Sequence, residues 1–342
     1  MPYHEYLAAG PGPFRPSFCL NATTGMFEGL DFGPHLDVAA RSSIGAGPLR
    51  RAENQDNCVL IDARGDAAFL LEGAPQHVQV PGWPPGHVRL AVLDGMGGHG
   101  HGREAAEAAA SGLLAIPACT DIDALSAHLD ALHAALQRRF DALGELGPRP
   151  GTTLTLLEIA PGGHALLWHA GDSRLLEVEP GKVNPLTVDH VPATAYAMSG
   201  LLGEADWWRQ VHGEHWPQIA QAFILGNTFA DPLRLDDGLF ALTSENLPPW
   251  LRALPDRRTI ALRPGATWLL ATDGFWSCAD PQEFVARWPR LLSQGDAAAG
   301  IAALFGEIQT RPPVGLQPDN LTAIVLRCRP TRRDETALPE SN

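Results

Sequence analysis

The chain has 342 residues, 45% of them apolar, and its 39 acidic against 25 basic side chains give a formal net charge of −14. That length and apolar fraction allow one large domain or two with a real core, rather than an unstructured chain. The negative charge disfavours nucleic acid and anionic membrane as partners and favours attraction of cations.

Gly and Pro are both above average use, which predicts many turns on a loop-rich surface. Cys19, Cys58, Cys119, Cys278 and Cys328 are scattered without metal-ligand spacing, as expected of a reduced, cytoplasmic protein. The chain start lacks a basic-then-apolar signal pattern, and no apolar run approaches a membrane span. Residues 1–40, rich in Gly, Pro and aromatics such as Phe14, Phe18, Phe27 and Phe32, are expected to form an arm packed on the domain. From Asp37 a strand is expected, and Cys58-Val-Leu-Ile-Asp62 is expected to continue the same sheet.

Leu90 to Leu93 are too few apolar residues for a helix and suit a buried strand that stops at Asp94. Five glycines follow between Gly95 and Gly102, and a helix opens at Glu104, where an acid suits the dipole. Asp121 is placed to cap a helix in which Ile122, Leu125, Leu129, Leu132, Leu136, Phe140 and Leu143 recur at three- and four-residue steps, one face covering a sheet. Thr152 to Lys182 reads as a β-meander with turns at Pro161-Gly-Gly, Gly171-Asp-Ser and Glu179-Pro-Gly. An insert at about 191–255 carries a helical stretch from Glu204 to Leu225, with Trp207, Trp208 and Trp216 expected mainly as packing. Asp280-Pro281 caps a helix that Pro289 interrupts, a second helix spans Ala297 to Ile308, and a last strand precedes a polar tail at 329–342.

Three readings compete for the carboxylate at Asp94 beside bare glycine backbone. Asp-Gly is a common turn signal. Gly95-x-Gly97-x-x-Gly100 between strand and helix fits a dinucleotide fingerprint, but that fold needs a following strand ending in an acid, and here another helix follows. The third reading is a metal site, which predicts further acids at other strand ends. Asp273 ends the apolar run Trp268 to Thr272, Asp319 precedes the run Leu321 to Leu326, and Asp172 sits at a bend between two strand-like segments. Oxygen ligands of this kind suit magnesium or manganese, and no Cys or His cluster is spaced for zinc.

The segments Arg51-Ala-Glu-Asn-Gln-Asp56, Asp94-Gly-Met-Gly-Gly-His99, Gly151-Thr-Thr153, Ala170-Gly-Asp-Ser-Arg174, Leu186-Thr-Val-Asp-His190, Thr272-Asp-Gly274 and Asp319-Asn-Leu-Thr322 together resemble the protein phosphatase 2C (PPM) family of metal-dependent Ser/Thr phosphatases, in the family's order and from about Ser42 to Arg327. The resemblance implies an α+β fold, a four-layer α/β/β/α sandwich whose two central antiparallel sheets are flanked by helices, with the phosphatase domain at 41–328. It implies two Mn2+ or Mg2+ ions, bridged by Asp94, with the Gly95 carbonyl on one and Asp273 and Asp319 on the other. Asp56 would orient metal-bound water, and Arg51 would grip the substrate phosphate, with a surface salt bridge as the plain alternative. A third ion would rest mainly on Asp172.

The chain departs from the family at three positions. Gln55 replaces a frequent Glu, Met96 stands where animal members carry a proposed general-acid His, and Ser277 replaces an Asp associated with the third ion. His99 and His101 are expected to be structural rather than catalytic. The implied activity is hydrolysis of phosphoserine or phosphothreonine in a protein substrate, such as one phosphorylated by a Ser/Thr kinase, by a cytoplasmic monomer without nucleic-acid or membrane partners. The rival is a pseudophosphatase acting as a binding scaffold. A haloacid-dehalogenase-type phosphatase would need a second Asp where Met96 stands. The insert resembles the mobile flap that family members place beside the metal cleft.

Overall fold

The computed structural model describes residues 27–96, 101–141, 150–213, 225 and 239–329. In chain order the elements are β1 (Leu36–Ser43), β2 (Gly45–Ala46), β3 (Leu49–Arg50), β4 (Asp56–Ile61), β5 (Asp66–Leu71), β6 (Ala74–Gln79) and β7 (Val88–Met96), then helices α1 (Gly102–Ala115) and α2 (Ile122–Asp141). Strands β8 (Gly151–Thr152), β9 (Leu154–Ile159), β10 (His164–Ala170), β11 (Arg174–Glu179) and β12 (Lys182–Pro185) follow, then α3 (Pro192–Met198) and α4 (Glu204–His212). The last elements are β13 (Arg257–Ala261), β14 (Thr267–Ala271), α5 (Pro281–Val285), α6 (Trp288–Leu292), α7 (Ala297–Thr310) and β15 (Leu321–Cys328).

Two antiparallel sheets carry the fold. One has the order β1-β15-β14-β11-β12, and the other runs β13-β10-β9-β7-β4-β5-β6 with β8 paired to the end of β7. Their central strands are apolar on both faces because both faces are covered. Along β7, Ala91 and Leu93 enter the cluster shared with α1 and α2, while Val88, Leu90 and Val92 enter a cluster shared with the other sheet. Along β15, Ala323 and Val325 meet α5 to α7, while Ile324 and Leu326 face the first sheet's partner. Period-two alternation therefore sorts one continuous apolar run into two cores.

Inside the helix-covered face of the second sheet, Arg89 and Glu158 are fully buried as a pair, with Nε to Oε2 at 2.6 Å. The Arg89 guanidinium also donates to the carbonyls of Leu113, Ile116 and Pro117, and so satisfies the carbonyl end of α1. His87 completes the cluster at 2.9 Å from Glu158.

Several local expectations are corrected. The segment from Thr152 to Lys182 is not one meander: β9 and β10 pair in one sheet, whereas β11 and β12 lie in the other. The crossing is made at Gly171, whose φ is +116° and where a Cβ would stand 2.5 Å from Thr153 Cγ2, so only glycine permits it. Likewise β1 and β4 belong to different sheets. The strand bearing Asp94 does not stop there but continues to Met96, because Gly95 and Met96 find ladder partners in Thr152 and Gly151. Strand β1 opens at Leu36, within the stretch expected to be an arm, and Phe27, Leu30 and Phe32 pack on the cluster between the sheets. Phe14 and Phe18 lie outside the described residues.

The insert builds a fourth apolar cluster from α3, α4, Val188, Leu242, Leu247 and Leu251. Trp207 is buried in it and donates from Nε1 to Thr194 Oγ1 at 3.1 Å, while Trp208 is 45% exposed. The described part of the expected Glu204–Leu225 helix ends at His212, and Trp216 lies outside the described residues. Among the described residues no helix is long and apolar enough to cross a membrane.

Candidate active site

The two sheets bring strand ends together where the acids sit. Asp56 opens β4 and stands directly opposite Asp94 of β7 in the ladder. Asp273 begins a 3-10 turn just past β14, Asp319 lies two residues before β15, and Asp172 occupies the bend between β10 and β11. Asp56, Asp172 and Asp273 are buried, whereas Asp94 keeps part of its surface open.

These carboxylates act on one another. Burial, then Asp56, Asp273, Asp319 and Asp172 in that order, push Asp94 well above the usual carboxylate range. Asp56 is pushed up to about 8, mainly by burial and further by Asp319 and Asp273, against hydrogen bonds from Thr322 and Thr272. Burial and Asp273 raise Asp319 to about 6, with Arg51 opposing. Asp172 is raised well above its ordinary value by burial, Asp273 and Asp189, against Arg174. Carboxyl groups crowded and buried in this way either keep protons or are matched by a cation.

Threonine and serine hydroxyls fix the acids. Thr272 Oγ1 donates to Asp56 Oδ2 at 2.8 Å, and Thr322 N donates to the same hydroxyl at 3.0 Å, which ties the first residue of β4 to the other sheet. The Asp94 amide donates to Thr153 Oγ1 at 2.8 Å, and that hydroxyl pairs with Ser173 at 2.8 Å. Ser277 donates to the Asp273 carbonyl at 3.0 Å and lies 3.3 Å from its Oδ2, so it fixes the turn that carries this acid. Of these hydroxyls only Ser277 is singled out from sequence, although Thr153, Ser173, Thr272 and Thr322 lie inside the motifs.

Gly95 is confined by backbone on both sides. A Cβ there would come 2.2 Å from the Gly102 carbonyl and 2.5 Å from the Gln55 carbonyl. Gln55 Nε2 donates to Glu53 Oε1 at 2.9 Å, and Glu53 in turn pairs with Arg103 at 3.3 Å. A carboxylate thus stands beside the amide at position 55, and its signal was present as Glu53 in the first motif. Met96 is half-buried at the strand end. His101 pairs with Glu104 at 3.1 Å, at the start of α1, and His99 lies outside the described residues.

Arg51 reaches the cluster directly. Its Nη2 lies 3.0 Å from Asp319 Oδ1, and its Nε donates to the same oxygen at 3.2 Å. His190, just before the insert, holds the Asp172 bend: His190 N donates to Gly171 O at 2.8 Å, and Gly171 N donates to His190 Nδ1 at 3.0 Å. Arg174, buried under the Trp276 ring, binds Asp189 through Nε and Nη2 and also donates to Val211 O of α4. A second anchor is Leu225, fully buried and bonded both ways with Thr152 at 3.0 and 3.1 Å.

The donor set is all oxygen, which fits a hard divalent cation. Among the described residues no three Asp, Glu, His or Cys side chains come together closely enough to hold a metal ion by themselves. A cation here would draw on these carboxylates together with carbonyl and water oxygens, the habit of magnesium and manganese sites.

No family model matches the chain. Over 186 residues it is 26% identical to a probable protein phosphatase 2C 44 of Oryza sativa subsp. japonica, a match covering 54% of this chain and 51% of that relative. The chain thus spans about half the length of this curated relative. Among solved structures, the serine/threonine phosphatase of S. agalactiae superposes with a TM-score of 0.58 at 21% identity, covering 86% of this chain and 100% of that one. The catalytic domain of the phosphatase PstP, in complex with two manganese ions, superposes with a TM-score of 0.55 at 21% identity over 86% of this chain and 99% of that one.

Proposed function

We propose that this chain, a bacterial-type member of the protein phosphatase 2C (PPM) family, hydrolyses phosphoserine and phosphothreonine in proteins with the help of Mn2+ or Mg2+. The observation that carries the proposal is the group of mutually repelling carboxylates, Asp56, Asp94, Asp172, Asp273 and Asp319, drawn from both sheets. A fold keeps such a cost where a cation is the intended partner.

In this reading Asp94, the Gly95 carbonyl, Asp273 and Asp319 would hold two ions, Asp56 would orient water, and Asp172 would serve a third. Two bound ions supply a water of lowered pKa and offset the charge of the phosphoryl group. Thr272 keeps one oxygen of Asp56 occupied and its carboxylate aimed. The Arg51 guanidinium is suited to hold phosphate oxygens. Met96 has no proton to give, so the leaving oxygen takes its proton from elsewhere than this side chain.

Further parts of the reading rest on placement. Helices α1 and α2 pack on the outer face of one sheet and α5 to α7 on the other, with a third cluster between the sheets, which supports a four-layer α/β/β/α sandwich. We assign residues from about Leu36 to Cys328 to the phosphatase domain, with the described part of the insert, through α4, joined by Val211 to Arg174 beside the Asp172 bend. The four described cysteines are free and buried, in support of a cytoplasmic protein. The test is release of inorganic phosphate from a phosphothreonine peptide. Release with Mn2+ and none with excess chelator is expected. A folded, metal-loaded protein that binds the peptide without turnover would instead be a pseudophosphatase.

A further inference from the structure

We propose that Arg51 and a divalent cation compete for the Asp319 carboxylate, so that cation binding releases the guanidinium to the substrate phosphate. This rests on the assignment of the carboxylate group as a metal site, and it adds an order of events to it.

Both Nε and Nη2 of Arg51 point at one atom, Asp319 Oδ1, and the Asn320 amide donates to that same oxygen at 2.9 Å. The carboxylate is the fixed member of the pair. Asn320 Oδ1 accepts from Gln55 N at 2.8 Å and Asn320 Nδ2 donates to Glu53 O at 3.0 Å, so the turn carrying Asp319 is stitched to the start of β4. The Arg51 backbone is also anchored, by its amide to Ile44 O at 2.9 Å. Its side chain is the movable part, 52% exposed against 15% for Asp319.

An ion pair whose guanidinium lies half in water is weakened by solvent and costs side-chain entropy, whereas a hard divalent cation gains strongly at carboxylate oxygen. A guanidinium at 3 Å from the carboxylate and a doubly charged ion on it repel each other. The ion therefore displaces the arginine. The freed planar donor has phosphate as its next best partner. Asp319 thus holds Arg51 away from the phosphate position until a cation is bound, and cation and phosphate bind with positive, reciprocal coupling that includes Arg51.

The test is calorimetric titration of the full chain with Mn2+ in the absence of substrate, with near-ultraviolet dichroism to confirm folding. Arg51→Ala is expected to bind Mn2+ roughly three- to tenfold more tightly than wild type, as removal of a weak competing ion pair predicts. Arg50→Ala removes the same charge from the adjacent exposed position and is expected to stay within about twofold of wild type. In a second titration with inorganic phosphate, saturating Mn2+ should strengthen binding more in wild type than in Arg51→Ala. Equal or weaker Mn2+ binding by Arg51→Ala overturns the competition, as do equal shifts in the two variants. Peptide hydrolysis is read separately: its absence in metal-loaded wild type sinks the phosphatase assignment while the Mn2+ difference remains measurable. Wild type that binds no Mn2+ removes the metal site on which both rest.

Discussion

Asp56 and Asp94 face each other across the β4–β7 ladder, each raised in pKa by burial and by the other acids of the site. Directly opposed like charges weaken a sheet. Here the folded protein retains protons that the unfolded chain, with carboxylates near their ordinary value of about 4, gives up. The contribution is full below the unfolded value and is lost as pH rises through the folded one, about 8 for Asp56. Buried His169 and His190 act in the opposite sense, being held neutral in the fold, but this effect ends above about pH 6.5, where unfolded histidine is neutral too. Metal-free protein is therefore expected to lose stability between about pH 6.5 and 8.5. Saturating Mn2+ should restore more at the upper end, where fewer protons must leave. Thermal melts with and without the ion, at several pH values, measure this; a metal-free melting temperature that rises across that window contradicts it.

Asp94→Asn and Asp273→Asn are expected to abolish turnover and leave the fold intact, since both side chains sit among other acids rather than in an apolar cluster. Asp94→Asn should also raise the metal-free melting temperature at pH 8 by relieving repulsion. Phosphate release and melting curves on the same preparations test both halves, and wild-type rates in either variant would contradict the site.

Glu158→Gln leaves the Arg89 guanidinium buried without its carboxylate. A loss of about 3–5 kcal/mol is expected for breaking a buried pair on one side only. Urea unfolding followed at the tryptophans gives the number, and a change under about 1 kcal/mol would show that the carbonyls of Leu113, Ile116 and Pro117 satisfy the arginine on their own.

Within the insert, Trp207 and Trp208 are adjacent in sequence and opposite in environment. Trp207→Ala should cost about 3–5 kcal/mol through the cavity it leaves and the hydrogen bond it loses to Thr194. Trp208→Ala should change stability by less than about 0.5 kcal/mol yet alter the ranking among phosphopeptides, with hydrolysis of a small aryl phosphate unaffected. Parallel loss of phosphopeptide and aryl phosphate hydrolysis in Trp208→Ala would remove the insert from substrate choice. Excision of 193–228 is not a clean substitute, because Leu225 within it is core and pairs with Thr152.

Much of the site is legible in the sequence because its determinants are local. An apolar run followed by Asp-Gly marks the neighbourhood of a strand end, so Asp94 and Asp273 stand out although β7 itself runs on to Met96, and the bend at Asp172 is written in Gly171. Helix α2 follows from its own three- and four-residue spacing and from Asp121, whose carboxylate accepts from Ala124 N at 2.9 Å. Sheet membership is not local. Strands buried on both faces show no alternation to say which neighbour they choose, so β10 and β11 read as one meander although Gly171 sends the chain from one sheet to the other. The pairing of Asp56 with Asp94, the Thr272 bond between the sheets and the contact of Arg51 with Asp319, 268 positions apart, exist only once the two sheets have packed. Residue types and short spacings set what chemistry the chain can offer; side-chain packing between distant strands decides which of those groups meet.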